Sequence, residues 1–209
     1  DEVMTAILWC LQKRRVEEGL FWLQELLDSE LYDDVFQVMF KGWLWSFGCK
    51  QVGWFEAYYA LYKKENVDED EIVNLFYSLI RLERDMSVLG LLCLGVDFDL
   101  EPLPPTPKKD KVLLNYHDTL QVAFIRYAAL GKAKSAFTIA AQMYLCDEAA
   151  AWDFLIGLGV PAQLYCMVNE QEDPDVKIAS LAAAVGFLCI KGKKLPFQIV
   201  EVDAGTNKK

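Results

Sequence analysis

The stretch that decides the fold is Leu11–Leu61, LQKRRVEEGLFWLQELLDSELYDDVFQVMFKGWLWSFGCKQVGWFEAYYAL. Together with Trp9 just ahead of it, it holds five of the six tryptophans. From Val16 to Asp28 the apolar residues Val16, Leu20, Leu23 and Leu27 recur at intervals of three and four, and Phe21, Trp22 and Leu26 widen the same face. That is the period of an amphipathic helix, and the width predicts burial on more than one side. Glu17 and Glu18 suit the positive end of its dipole. After a break at Ser29–Asp34, a second helix is predicted over Tyr32–Phe47, with Val35, Phe36, Met39, Phe40, Trp43 and Phe47 on one face and Gly48 as its C-cap. A third, Val52–Tyr62, gathers Phe55, Tyr58, Tyr59 and Tyr62. Short joints make such helices antiparallel neighbours. Each aromatic ring buries about 150–250 Å², so the cluster is expected to form the core of the first half. Trp45 and Trp54 lie off the main apolar faces and are expected at the surface, as candidate partner-binding residues.

The basic turn Lys13, Arg14, Arg15, the acidic pair Glu17–Glu18, the run Leu20, Phe21, Trp22 and the second amphipathic run Val35–Phe47 follow one another in order. Residues 11–47 thereby resemble the C-terminal helical collar of clamp-loader-type (RarA/MgsA-like) ATPases and helical runs in proteins of large DNA viruses. The Gly–Asp that usually precedes the acidic pair in the collar is absent here. The resemblance implies a packing and oligomerisation module rather than an enzyme.

Composition narrows the class. Hydrophobic residues make up 54% of the 209-residue chain, enough for a sizeable core and for surface buried against partners. No run of eighteen apolar residues lacks a charge, so no membrane span is expected, and the greasiest stretch, Ala179–Ile190, reads as a buried helix. Without a signal-peptide pattern or an initiator Met, the chain is expected to begin inside a longer protein and to work inside the cell, in cytoplasm, nucleus or virion. Residues 1–100 carry nineteen acidic and nine basic side chains, whereas residues 101–209 carry twelve of each. A first half at −10 opposes non-specific binding to phosphate backbones. Lys13, Arg14 and Arg15 are the candidate nucleic-acid contacts, with a second basic cluster at Lys191–Lys194. The cysteines at 10, 49, 93, 146, 166 and 189 have no metal-ligand spacing and read as free, buried thiols.

Further along, Asp68 with Glu71 reads as a capping box opening a helix to about Arg84, followed by a short apolar helix before Gly95. Pro102, Pro104, Pro105 and Pro107 then exclude regular structure. The organisation expected is an aromatic-rich acidic domain over 1–95, a proline-rich linker or docking arm over 96–116, and an Ala-rich domain over 117–209. In the last, helices are predicted from Asp118, Ala133, Glu148, Ala162 and Pro174. Leu195–Val202 alternates like a strand but has no partner in the chain, so Phe197 and Ile199 join Pro102, Pro104 and Pro105 as candidate docking residues. The fold class is all-α: a helical bundle or short α-solenoid of antiparallel hairpins, with one lone extended segment.

The chemistry is thin. His117 is the one histidine, and its neighbour Asp118 reads as an N-cap. Neither G-x-x-x-x-G-K-[ST] nor G-x-G-x-x-G occurs. The densest carboxylates, Asp68–Glu71, point different ways around a helix and read as a solvated cap. The expected function is a non-enzymatic scaffold or protein-interaction subunit of a larger assembly, with other protein subunits as partners and no cofactor or metal. The alternative is a collar-like oligomerisation module of DNA replication or repair.

Overall fold

The structure of the chain, a computed structural model, describes residues 2–94, 100, 102–103, 115 and 117–190. Pro104, Pro105, Phe197 and Ile199 lie outside the described residues. Within them all regular structure is helical, eleven α-helices and one 3₁₀ turn with no strand, so the fold is all-α as the periodicity requires. The helices fall into two compact units, and the chain passes from one to the other between Met86 and Ser87.

The first unit contains α1 (Glu2–Lys13), α2 (Val16–Asp28), α3 (Tyr32–Ser46), a 3₁₀ turn (Gly48–Gln51), α4 (Val52–Tyr62) and α5 (Glu69–Arg81). Helix α3 is its centre and packs on α1, α2, α4 and α5. Val35, Phe36, Val38, Met39, Phe40, Trp43 and Leu44 are buried all round it, which explains why its sequence is apolar on more than one face. It leaves no room towards α1 at Gly42. A Cβ there would lie 2.3 Å from Leu11 Cδ1, and Leu11 is itself fully buried.

The joints around α2 are closed by an unusual device. Arg14 and Glu30 have φ of 57° and 58°, the left-handed region that favours glycine. Each is followed by the six-to-one hydrogen bond of a Schellman motif, Arg15 N–H to Cys10 O and Leu31 N–H to Leu26 O, both at 3.0 Å. Helix α5 opens with the predicted capping box: Asp68 accepts from Asp70 N–H, and Glu71 reaches back to Asp68 N–H. It stops three residues short of the expected Arg84, because Leu82 turns to extended backbone and its carbonyl accepts from Arg14 Nη2 at 2.7 Å. Asp85 N–H then donates to Ser46 O at 2.9 Å, fastening the chain to the end of α3.

The second unit contains α6 (Ser87–Leu94), α7 (Thr119–Ala129), α8 (Ala133–Cys146), α9 (Glu148–Gly157), α10 (Ala162–Asn169) and α11 (Pro174–Cys189). Helix α6 was expected in a first domain reaching residue 95. Its apolar pair Val88 and Leu91 instead packs among α8 and α11, so the contact boundary lies nine residues earlier than the proline run suggests. Helices α8 and α11 carry small residues through the core: Ser135, Ala136, Ala140 and Ala141 on one, Ala179, Ser180, Ala182, Ala183, Ala184 and Gly186 on the other. With so little side chain between them the two backbones pack closely. Asp118, Asp147 and Asp173 cap α7, α9 and α11, the last with Pro174 at the first helical position. Gly131 and Gly159, at φ 70° and 108°, close α7 and α9 with Schellman bonds, Lys132 N–H to Tyr127 O and Val160 N–H to Leu155 O.

Two glycine substitutions should move stability in opposite directions. Gly42→Ala overpacks Leu11 and should cost about 1 kcal/mol net of the helix-propensity gain. Gly90→Ala meets nothing within 4 Å on an exposed face of α6 and should add about 0.5–1 kcal/mol. Glu30→Gly should likewise add about 0.5–1 kcal/mol by relieving the left-handed backbone. Urea unfolding midpoints at constant slope measure all three.

Candidate functional site

The aromatic stretch is mostly interior. Trp43 stacks on Phe55 at 4.8 Å between ring centroids, Phe55 on Tyr58 at 6.0 Å, Trp54 on Tyr58 at 5.3 Å, and Tyr58 on Tyr62 at 6.1 Å. The polar atoms of these rings are satisfied inside the unit. Trp43 Nε1 donates to Gln51 O at 3.1 Å, Trp54 Nε1 to Leu75 O at 3.1 Å, and the Tyr58 hydroxyl to Phe36 O at 3.0 Å.

Trp54 therefore corrects the sequence reading. Expected at the surface, it is 0% exposed, because α4 packs on α5 as well as on α3 and the face off its main stripe is the one turned to Leu75. Trp45 is half-buried in the last turn of α3, and Pro102 is exposed. Lys13, Arg14 and Arg15 are all exposed at the α1–α2 joint. Two of the three have internal partners: Arg14 holds Leu82 O, while Arg15 pairs with Glu18 at 2.9 Å and lies 4.2 Å over the Trp9 ring. Within the first unit Trp54 lies in the core, while Lys13, Arg14 and Arg15 stand at the α1–α2 joint.

The polar clusters resolve into caps. The Asp118 carboxylate accepts from Gln121 N–H at 2.8 Å, and Gln121 Oε1 lies 3.1 Å from His117 Nδ1. The His117 ring meets Phe154 edge-on at 5.7 Å. Glu71 pairs with Lys64, and that hydrogen bond, with the one from Asp68 N–H, holds its carboxyl below the ordinary 4.5. The Tyr32 hydroxyl donates to Glu69 Oε1 at 2.8 Å, which raises the phenol above its usual 10. Among the described residues no three His, Cys, Asp or Glu side chains stand together as metal ligands.

Concave regions among the described residues include the following two. A groove of about 510 Å³ runs between α4 and α5, lined by Ala57, Ala60, Leu61, Lys64, Glu71, Asn74 and Leu75. A smaller hollow of about 150 Å³ lies where the start of α7 meets the α8–α9 joint, and Leu120, Met143 and Cys146 contribute to its lining. Leu145, the sequence neighbour of Cys146, is 81% exposed, the most exposed large apolar side chain among the described residues. The sequence reading missed Leu145, although the helical wheel contains the signal: it stands about 200° round from the buried Met143. No helix among the described residues is long and apolar enough to cross a membrane. No family model, curated protein or solved structure matches the chain.

The thiols depart from expectation. Cys10 is buried and Cys189 half-buried, but Cys93, Cys146 and Cys166 are exposed at helix faces or ends turned outward. Burial raises the Cys10 thiol, and pushes that of Cys189 up to about 11. Since the thiolate is the nucleophile, a raised value means less reactive form at a given pH. Peptide-mapped iodoacetamide labelling near the ordinary thiol value of about 8.5 should therefore modify Cys93, Cys146 and Cys166 well before Cys10 and Cys189. Labelling of Cys189 should rise as pH approaches its own value.

Proposed function

We propose that the chain is a non-enzymatic helical interaction subunit of a larger protein assembly, such as a viral capsid or another multi-protein complex, with other protein subunits as its partners. The observation that carries this reading is the apolar end of the second unit. Leu120 and Cys146 are exposed there at a shallow hollow, and Leu145 is exposed in the same last turn of α8, on helices whose ends are fixed by Asp118 and Asp147 caps. Large apolar side chains exposed on a rigid surface favour burial against another protein. The proline-rich arm, from Pro102 through Pro104 and Pro105, and the segment with Phe197 and Ile199 are further docking elements in this reading. A collar-like module touching DNA through Lys13, Arg14 and Arg15 has weaker support, because the Arg14 and Arg15 guanidinium groups already have partners within the first unit.

Size-exclusion chromatography with light scattering on the full chain, run beside limited proteolysis, tests the reading. A mass above the 23.8 kDa of one chain, reduced by Leu145→Glu, with cleavage in residues 96–115 suppressed in the larger species, is expected. A monomer at every concentration, cut freely in that segment and indifferent to Leu145→Glu, would overturn it.

A further inference from the structure

Helix α5 has no stop signal of its own. Helices α1, α2, α7 and α9 each end at a residue with positive φ, namely Arg14, Glu30, Gly131 and Gly159, and the Schellman bonds there satisfy their last carbonyls. Among the described residues none with a positive φ stands at the end of α5. The residues that follow it, Leu82, Glu83 and Arg84, are all good helix formers. Arg81 and Arg84 also suit the negative end of the helix dipole. By every local criterion the helix should run on to Arg84, where its periodicity places the end.

What stops it comes from 68 positions away. The Leu82 carbonyl accepts from Arg14 Nη2 at 2.7 Å. Leu82 lies at φ −58° and ψ 152°. Its φ is already helical, so rotation about ψ alone separates its present conformation from a continued helix. That rotation would turn the carbonyl along the helix axis and away from Arg14. A second anchor bounds how far the helix could grow. Asp85 N–H holds Ser46 O at 2.9 Å, and the buried Asp85 carboxylate lies 3.9 Å from Lys50 Nζ. Between the two anchors Glu83 and Arg84 are exposed, so helix growth through them uncovers no buried side chain.

A segment whose local preference favours one conformation, while a distant hydrogen bond holds another, is a two-state element whose balance that bond sets. We propose that Leu82–Arg84 is a latched extension of α5. While Arg14 holds the Leu82 carbonyl the segment stays out of the helix, and when Arg14 lets go it winds onto the end of α5.

The test is NMR on the isotope-labelled full chain. Arg14→Gly keeps the left-handed joint without strain and removes the guanidinium. In this variant the Cα shifts of Leu82 and Glu83 should move to helical values. In the wound form Glu83 N–H donates to Leu79 O and Arg84 N–H to Ile80 O, so hydrogen exchange of both amides should slow at least about tenfold. Arg14→Asn, which also tolerates a positive φ and is too short to reach Leu82, should act in the same direction. Adding Glu83→Pro to Arg14→Gly should return Leu82 to extended values, because a proline keeps the residue before it out of the helix. Parent-like shifts and exchange in both Arg14 variants would overturn the proposal, since α5 would then stop without the latch. Coil shifts with faster exchange would overturn it too, since Arg14 would then be ordering the segment and not holding it out of the helix. So would helical values at Leu82 that persist in the double variant.

Discussion

Trp43, Trp54 and Tyr58 each carry one polar atom into the centre of the first unit, and each places it on a backbone carbonyl of a different segment: the 3₁₀ turn, α5 and α3. A buried donor left without an acceptor costs about 1–3 kcal/mol, more than a satisfied one contributes. The three bonds therefore act as constraints on where the segments can sit. Helix α4 supplies two of the donors together with Phe55, so its depth and rotation against α3 and α5 are set by hydrogen-bond geometry as well as by ring packing. The same rotation turns Ala57 and Ala60 towards solvent beside α5. Core and groove are thus two faces of one helix, and the groove follows from the way the core is pinned.

Much of the fold was legible because its signals are local. Asp68 and Glu71, or Asp173 and Pro174, announce helix starts through side-chain chemistry that acts within a turn, and the structure places caps at those residues. Helix α2 begins and ends at the residues its periodicity marks. The stopping point of α5 was not legible, since it depends on Arg14 reaching Leu82 across 68 positions of sequence. Nor were the left-handed joints at Arg14 and Glu30: neither residue type advertises a positive φ, whereas Gly131 and Gly159 do the same work with the expected residue. Placing α6 with the first half failed for a related reason. The prolines mark where regular structure must stop, not where contacts divide, and Val88 and Leu91 find their partners in the later helices.

The candidate surface was harder to read than the core. A residue off the main apolar stripe is exposed only if its helix packs on one side, and α4 packs on two, which is why Trp54 is inside. The opposite error concerns Leu145 and the exposed cysteines. They stand in apolar stretches, but helix ends and joints, not local hydropathy, decide which way they turn. The α4–α5 groove is defined by two alanines, and alanine signals neither a cavity nor a contact until the neighbouring helix is in place.

The distribution of indoles gives the molecule two optically separable halves. Trp9, Trp22, Trp43, Trp45 and Trp54 all precede Met86, and Trp152 is the single tryptophan of the second unit, fully buried and stacked at 5.4 Å on Tyr165. Emission from the parent chain is thus dominated by the first unit, and a Trp152→Phe chain would report that unit alone. The difference between the two spectra isolates the second, so one protein sample and its single-residue variant reveal whether the units melt as one cooperative body or in turn.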